Sequence, residues 1–304
     1  MITAFRISDA LRCLLVDAPG GSNLAAPTES VVRCRPLRNS TFWRQSLARS
    51  SSRVTMGDWA RVDLASLASA RMRSGVRAWE VDRLHIKEPG SGQALDLLEQ
   101  VVYSAGSRGA ERVFLRVPCD SQIVDVARRA GFFAYYEEIL LTGRERLPEA
   151  DVVNVDARDG FTAEEPSAPD QHGLFQLYCA ATPQRVREGT GVTIDQWRDS
   201  QEPARSGRKE TVLKHNGKIV GWRMREPFGK TTAGQIIGHP DHPNTTPYLV
   251  RDSCQTQNWL VPSYQPNIVR LLDRQGLHET ARYTMLIKTV AVPVRSREFS
   301  YAEA

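Results

Sequence analysis

The residues best placed to do chemistry cluster in one stretch of the first half. Glu80 and Asp82 stand two apart, and Lys87-Glu-Pro-Gly90-Ser91-Gly92-Gln93 follows them. A strand, a glycine-bearing turn and a helix in that order make an anion site. The first helical amides have no internal acceptor, and the helix dipole favours negative charge there. Gly90 and Gly92 let a phosphate approach backbone that a side chain would shield, Ser91 and Gln93 share the turn, and Lys87 adds a positive charge. Glu80 and Asp82 are the candidate bases on the strand leading to this turn. Their spacing equally fits surface carboxylates on the face opposite Trp79 and Val81, and Arg83 and His85 read as solvent-facing. Two glycines alone also make an ordinary turn.

These residues need particular elements to hold them. In 78–86, Trp79 and Val81 keep one strand phase and Leu84 and Ile86 the other. The slip at Asp82–Arg83 predicts a β-bulge. Ala94, Leu97, Leu98, Val101, Val102 and Ala105 recur at helical spacing, and Gly106 and Gly109 end that helix. Residues 111–117 make the next strand. Upstream, 59–68 reads as one strand and 5–17 as a helix through Ala10, Leu11, Leu14 and Leu15, whereas 18–57 gives no clear pattern.

The same order recurs. Ile123-Val-Asp-Val-Ala-Arg-Arg-Ala-Gly-Phe132 matches Ile268-Val-Arg-Leu-Leu-Asp-Arg-Gln-Gly-Leu277 at a constant offset of 145 residues. A strand ending in Val-Pro precedes each, at Pro118 and Pro262, and an apolar run follows each, from Tyr135 and from Tyr283. Gly131 and Gly276 sit where a left-handed helix terminator belongs. Duplication follows, with the division near 148 in a polar, proline-bearing stretch whose 151–155 fits a strand.

In the second half, 174–181 and 194–200 read as helices. Asn216-Gly217 between apolar runs predicts a hairpin, and 234–238 a strand. His239-Pro-Asp-His-Pro-Asn-Thr-Thr-Pro247 then stands where the first half has its glycine turn. Its three prolines donate no amide hydrogen, which places a phosphate site held by main-chain donors in the first half. His239, Asp241 and His242 lack an evident further ligand, so no metal is assigned.

This order resembles the GNAT superfamily of N-acetyltransferases, chiefly over 78–143. The family's loop reads Gln or Arg, then x-x-Gly-x-Gly or Ala. Gly90 and Gly92 match it, and Lys87 departs at the first position. The resemblance implies an α/β (α+β) fold of two tandem domains, 1–147 and 148–304, each a mixed, mostly antiparallel twisted sheet flanked by helices. It implies acetyl-CoA as cosubstrate, its diphosphate on the 87–93 amides, and acyl transfer to a small-molecule or protein amine. A carboxylate takes the amine proton, and a tyrosine protonates the departing thiolate. The family's tyrosine position holds Ala127 in one half and Leu272 in the other, which leaves Tyr103, Tyr135, Tyr136 and Tyr264 as substitutes. Loss of that tyrosine and of the second loop equally fits a non-catalytic descendant that binds acyl-CoA, a small molecule or a protein.

Composition narrows the alternatives. A net charge of +5 is only mildly basic, and the densest arginines, 33–53, lie in a serine-rich stretch, so nucleic acid is not the expected partner. The five cysteines form no Cys-x-x-Cys pair, which argues against a disulfide framework or zinc site. The start lacks a basic segment followed by an apolar core, and no apolar run reaches the ~20 residues of a membrane helix. A cytoplasmic location is the expectation. Met56 is an alternative start, but beginning there deletes the first strand and helix.

Overall fold

The computed structural model describes residues 2–6, 9, 23–33, 52–60, 63–86, 92–143, 160–251 and 256–290. The first half contributes β1 (Ile2–Ala4), α1 (Thr28–Arg33), β2 (Arg53–Ala60), β3 (Asp63–Met72), β4 (Ala78–Ile86), α2 (Gly92–Gly106), β5 (Arg112–Pro118), α3 (Ile123–Arg129) and β6 (Phe133–Thr142). The second contributes β7 (Phe161–Glu164), a 3-10 turn (Ala168–Asp170), α4 (Gln171–Ala181), α5 (Gln184–Thr190), α6 (Ile194–Ser200), β8 (Lys209–His215), β9 (Lys218–Phe228), β10 (Thr231–Gly238), α7 (Thr245–Arg251), β11 (Asn258–Pro262), α8 (Pro266–Arg274) and β12 (His278–Thr289). The periodic segments behave as their patterns dictate. All six positions of the apolar stripe of α2 are buried, and complete removal of Leu97 and Leu98 from water contributes roughly 1.5–3 kcal/mol each. Asn216 and Gly217 take φ of 49° and 75°, the left-handed pair that a two-residue hairpin requires.

The strands form one twelve-stranded sheet in the order β1-β2-β3-β4-β5-β12-β6-β11-β10-β9-β8-β7. Among the described strands, only β4–β5 and β10–β11 run parallel. The halves are therefore not two closed sheets. The last strand of the second half, β12, inserts between β5 and β6, and β6 pairs with β11. The exchange is symmetric. Pro118 pairs with Tyr283 and Pro262 with Glu138, which are equivalent positions of the repeat, and Tyr283 also faces Glu138 where β12 and β6 pair. A local two-fold axis thus passes between Glu138 and Tyr283. The division at 147/148, the 151–155 strand, and residues 7, 8 and 10–17 of the 5–17 helix lie outside the described residues; Phe5 and Arg6 are not helical, and Phe5 N–H donates to Thr55 O (2.9 Å).

Two local features are as the sequence suggests. Across β3 and β4, Ser69 pairs with Arg83 and Ala70 with Val81, so Asp82 is the extra residue of a bulge. Gly131 and Gly276 both take φ of 84°. Phe132 N–H donates to Ala127 O (2.9 Å) and Leu277 N–H to Leu272 O (3.1 Å), the reversed ladder that closes a helix over a left-handed residue. One expectation fails: 59–68 is not a single strand. Trp59 pairs with Leu64 and Ala60 with Asp63, so the chain reverses there without any glycine, proline or asparagine to announce it.

A β-carbon on Gly276 would meet nothing within 4 Å, and on Gly131 only the end of the Lys288 side chain at ordinary contact. The cost of alanine is therefore the backbone conformation alone. Gly131→Ala and Gly276→Ala are each expected to lower stability by about 1–2 kcal/mol, read as a reduced urea midpoint at unchanged slope.

Candidate functional site

Each parallel strand pair stays together for only two or three residues and then parts. β4 and β5 pair from Ala78/Arg112 to Glu80/Phe114, and β10 and β11 only at Ala233/Asn258 and Gly234/Trp259. Gly234 lies against the Trp259 ring, where a β-carbon would stand 2.7 Å from Cζ3, so this contact seals the closed end of the second gap.

The two gaps differ in content. The first is filled by the chain. Leu24 N–H donates to Leu84 O (2.8 Å), Leu84 N–H to Asn23 Oδ1 (2.8 Å), Asn23 Nδ2 to Asp82 O (2.9 Å) and Ala26 N–H to Arg116 O (2.8 Å). Ala25 is wholly buried there. Glu80 and Asp82, read as bases or surface carboxylates, are each 4% exposed. Glu80 holds Arg71 and Arg73, and Asp82 accepts both its bonds from Arg53 Nη1 at 2.9 and 2.8 Å. Arg83 and His85 are not solvent-facing either, and burial pushes the His85 imidazole down from its usual range. Of the anion-turn residues, Lys87, Gly90 and Ser91 lie outside the described residues. Gly92 and Gln93 open α2 and are exposed.

The second gap opens into space. A central cavity of about 350 Å³ has Gln235, Ile236 and Ile237 of β10 on one side and Leu260 of β11 on the other. Tyr178, Trp197 and Trp222 supply aromatic wall, and β5 and β6 supply Arg116, Tyr136 and Glu138. A second cavity of about 360 Å³ lies between 238–247 and α8, with Arg270, Arg274 and His239 in its wall and, among the described residues, no acidic one. Among the described residues, Tyr264 alone lines both. A turn holds it there: Gln265 N–H donates to Pro262 O (2.9 Å), and Ser263 N–H donates to Glu137 O of β6 (2.8 Å). Its ring meets Tyr136 edge-on at 5.6 Å. Burial pushes its phenol up to about 12, offset in part by a hydrogen bond with the Thr182 hydroxyl.

Charge in the central cavity converges on Arg116, which is buried. Its Nη2 lies 2.9 Å from Glu138 Oε2 and 3.4 Å from Glu202 Oε1. Its Nη1 donates to Ala26 O and Thr28 Oγ1, and Nε points to the Met285 sulfur. Thr28 Oγ1 in turn donates to Glu202 (2.9 Å). The two carboxylates are pushed apart. Burial raises Glu138, against the pull of Arg116. Burial also acts upward on Glu202, but Arg116, Arg73 and Thr28 together bring it below the usual range. Two carboxylates in one cavity with opposite shifts suit different roles, with Glu138, held above the usual carboxylate range by burial, as the one better suited to accept a proton.

Sequence reasoning passed over Arg116, Glu138 and Glu202, and had Tyr264 only as an unplaced tyrosine. A signal existed: Arg116 and Glu138 are charges inside apolar strand runs, a pattern that demands a buried partner. The histidine loop gathers His215, His239 and His242, with ring centres 5.3 to 5.4 Å apart in the two contacts. Among the described residues, no group of three or more His, Cys, Asp or Glu is placed to hold a metal ion, and no helix is long and apolar enough to cross a membrane.

Among solved structures, the chain is similar to a tandem GNAT protein from the clavulanic acid biosynthesis pathway, at 13% identity, covering 96% of this chain and 99% of that one with a TM-score of 0.52. It is also similar to a GCN5-related N-acetyltransferase from Sphaerobacter thermophilus, at 14% identity, 95% of both chains and a TM-score of 0.51. No protein-family model and no curated protein matches the sequence. The architecture is the tandem GNAT fold: one mixed sheet flanked by helices, in two related halves.

Proposed function

We propose that the chain is an acyl-CoA-dependent N-acyltransferase whose working site is the second gap. One observation carries this reading: two cavities, one lined among the described residues by arginines and no acids and one by aromatics and paired carboxylates, meet at Tyr264 where β10 and β11 part. The prolines at 240, 243 and 247 deny a diphosphate three amide donors, and Arg270 and Arg274 supply charge in their place. The cosubstrate, when bound, supplies the activated acyl group. Glu138 takes the proton of the acceptor amine, a backbone amide on the splayed edge of β10 faces the acyl oxygen, and Tyr264 gives its proton to the departing sulfur. The aromatic walls exclude water from the acyl group. The size of the central cavity favours a small-molecule amine over a folded protein segment. For the first half, the filled gap favours the non-catalytic reading over a cosubstrate site at Lys87, Gly90, Ser91, Gly92 and Gln93.

Calorimetry with acetyl-CoA tests the reading. Binding weakened at least ~10-fold by Arg274→Glu is expected, about 1.4 kcal/mol, and absence of binding to the wild type at millimolar acetyl-CoA overturns it. Against an amine panel, Glu138→Gln is expected to lower kcat by roughly 10²–10³-fold. The base acts only when ionised. Because its folded pKa is raised from 4.5, wild-type activity should fall as pH drops through a value above 4.5, and the Gln variant should lose that acidic limb.

A further inference from the structure

The repeat supplies its own control, because one of two equivalent gaps is filled and the other is open. Where parallel strands part, their facing N–H and C=O groups lose their partners and must find others. In the first half, Asn23–Ala26 provides them. The segment bends at Leu24 and Ala25, and its main chain bonds Leu84 O on one side and Arg116 O on the other, while the Asn23 carboxamide completes Leu84 N–H and Asp82 O. The contacts bridge both separated strands, and the segment is sealed in place: Ala25 is buried and Ala26 is 7% exposed. Arg116 Nη1 grips Ala26 O and Thr28 Oγ1 just beyond. No comparable segment among the described residues bonds to the main chain of both β10 and β11 where they part.

We infer that Asn23–Ala26 is the resident occupant of the β4–β5 gap, an internal amide-bearing segment that closes it to any extended ligand. One chain then has one gap open to an acyl thioester, the second, although both halves share the architecture. The contrast is built into the sequence by Asn23, whose side chain has both the acceptor that Leu84 N–H needs and the donor that Asp82 O needs. A carboxylate would lack the donor, and an aliphatic residue would lack both.

Residue-resolved hydrogen exchange on the full-length chain, with and without acetyl-CoA, tests this alongside binding stoichiometry. The amides of Leu24, Ala26 and Leu84 are expected to exchange at least roughly 100-fold slower than unprotected amides, unchanged by saturating acetyl-CoA. Asn23→Ala should accelerate Leu84 exchange at least ~10-fold by removing its acceptor. One equivalent of acetyl-CoA per chain is expected. Unprotected exchange at Leu24 and Ala26 in the free wild type overturns the inference, as does a second bound equivalent accompanied by loss of their protection. Absence of any acetyl-CoA binding overturns the proposed function instead, and slow, ligand-independent exchange at these amides then still supports the closed gap. The wild-type measurement decides even where the Asn23 variant folds poorly.

Discussion

Arg116→Met is expected to destabilise the fold by about 3–5 kcal/mol, the cost of breaking a buried ion pair by removing one partner. The substitution roughly keeps the volume, so little of the loss comes from a cavity. It comes from what is left behind. Glu138 and Glu202 would share a buried site without the guanidinium that now lies between them, and the Ala26 carbonyl and Thr28 hydroxyl would lose a donor. Glu138 is already raised by burial with Arg116 opposing that rise, so removing Arg116 should raise it further. The unfolded chain bears no such penalty. The loss should therefore be larger at neutral pH than near pH 5, where Glu138 protonates more readily in the folded state. Urea denaturation of the wild type, Arg116→Met and Arg116→Met/Glu138→Gln measures it. The double variant should recover part of the loss, and a single-variant loss under about 1 kcal/mol would show that the cluster tolerates an unpaired carboxylate.

What could be seen in the sequence, and what could not, follows from the range of the interactions. The α2 stripe, the Asn216-Gly217 hairpin, the Gly131 and Gly276 terminators and the Asp82 bulge are local, and each leaves a mark within a dozen residues. The Glu80 and Asp82 environments were misjudged because strict alternation assumes that one sheet face meets water. Both faces of β4 are covered, so both phases are buried, and the carboxylates needed arginines from β2, β3 and the residue after β3. The filled gap was illegible for a different reason. A single short, bent segment that bonds to the two strands through four hydrogen bonds carries no periodicity, and its partners lie about sixty and ninety residues away. The site itself is split across the chain: Glu138 comes from β6 and Tyr264 from the turn after β11, and they meet only because the final strands of the two halves are exchanged. A reading that takes the halves one at a time cannot assemble it.

That exchange sets up the sharpest chemical test. Tyr264→Phe is expected to lower kcat by roughly 10²-fold with little change in KM for acetyl-CoA. Phenylalanine keeps the edge-on packing against Tyr136 and removes only the hydroxyl at the junction of the cavities. A group that protonates the leaving sulfur acts in the transition state, so its loss should fall on the chemical step rather than on binding. The phenol pKa near 12 fixes the accompanying pH behaviour. The neutral form is the donor, so the wild type should show no loss of activity from this residue between pH 7 and about 10, and its alkaline limb should lie beyond that range. The stability linkage has the same sign. A folded pKa raised from 10 to about 12 favours the neutral phenol, and the stability it contributes is complete below pH 10 and lost as pH rises through about 12. A kcat within about threefold of wild type would mean that the sulfur takes its proton from water, and Tyr264 would then be only a packed wall between the two cavities.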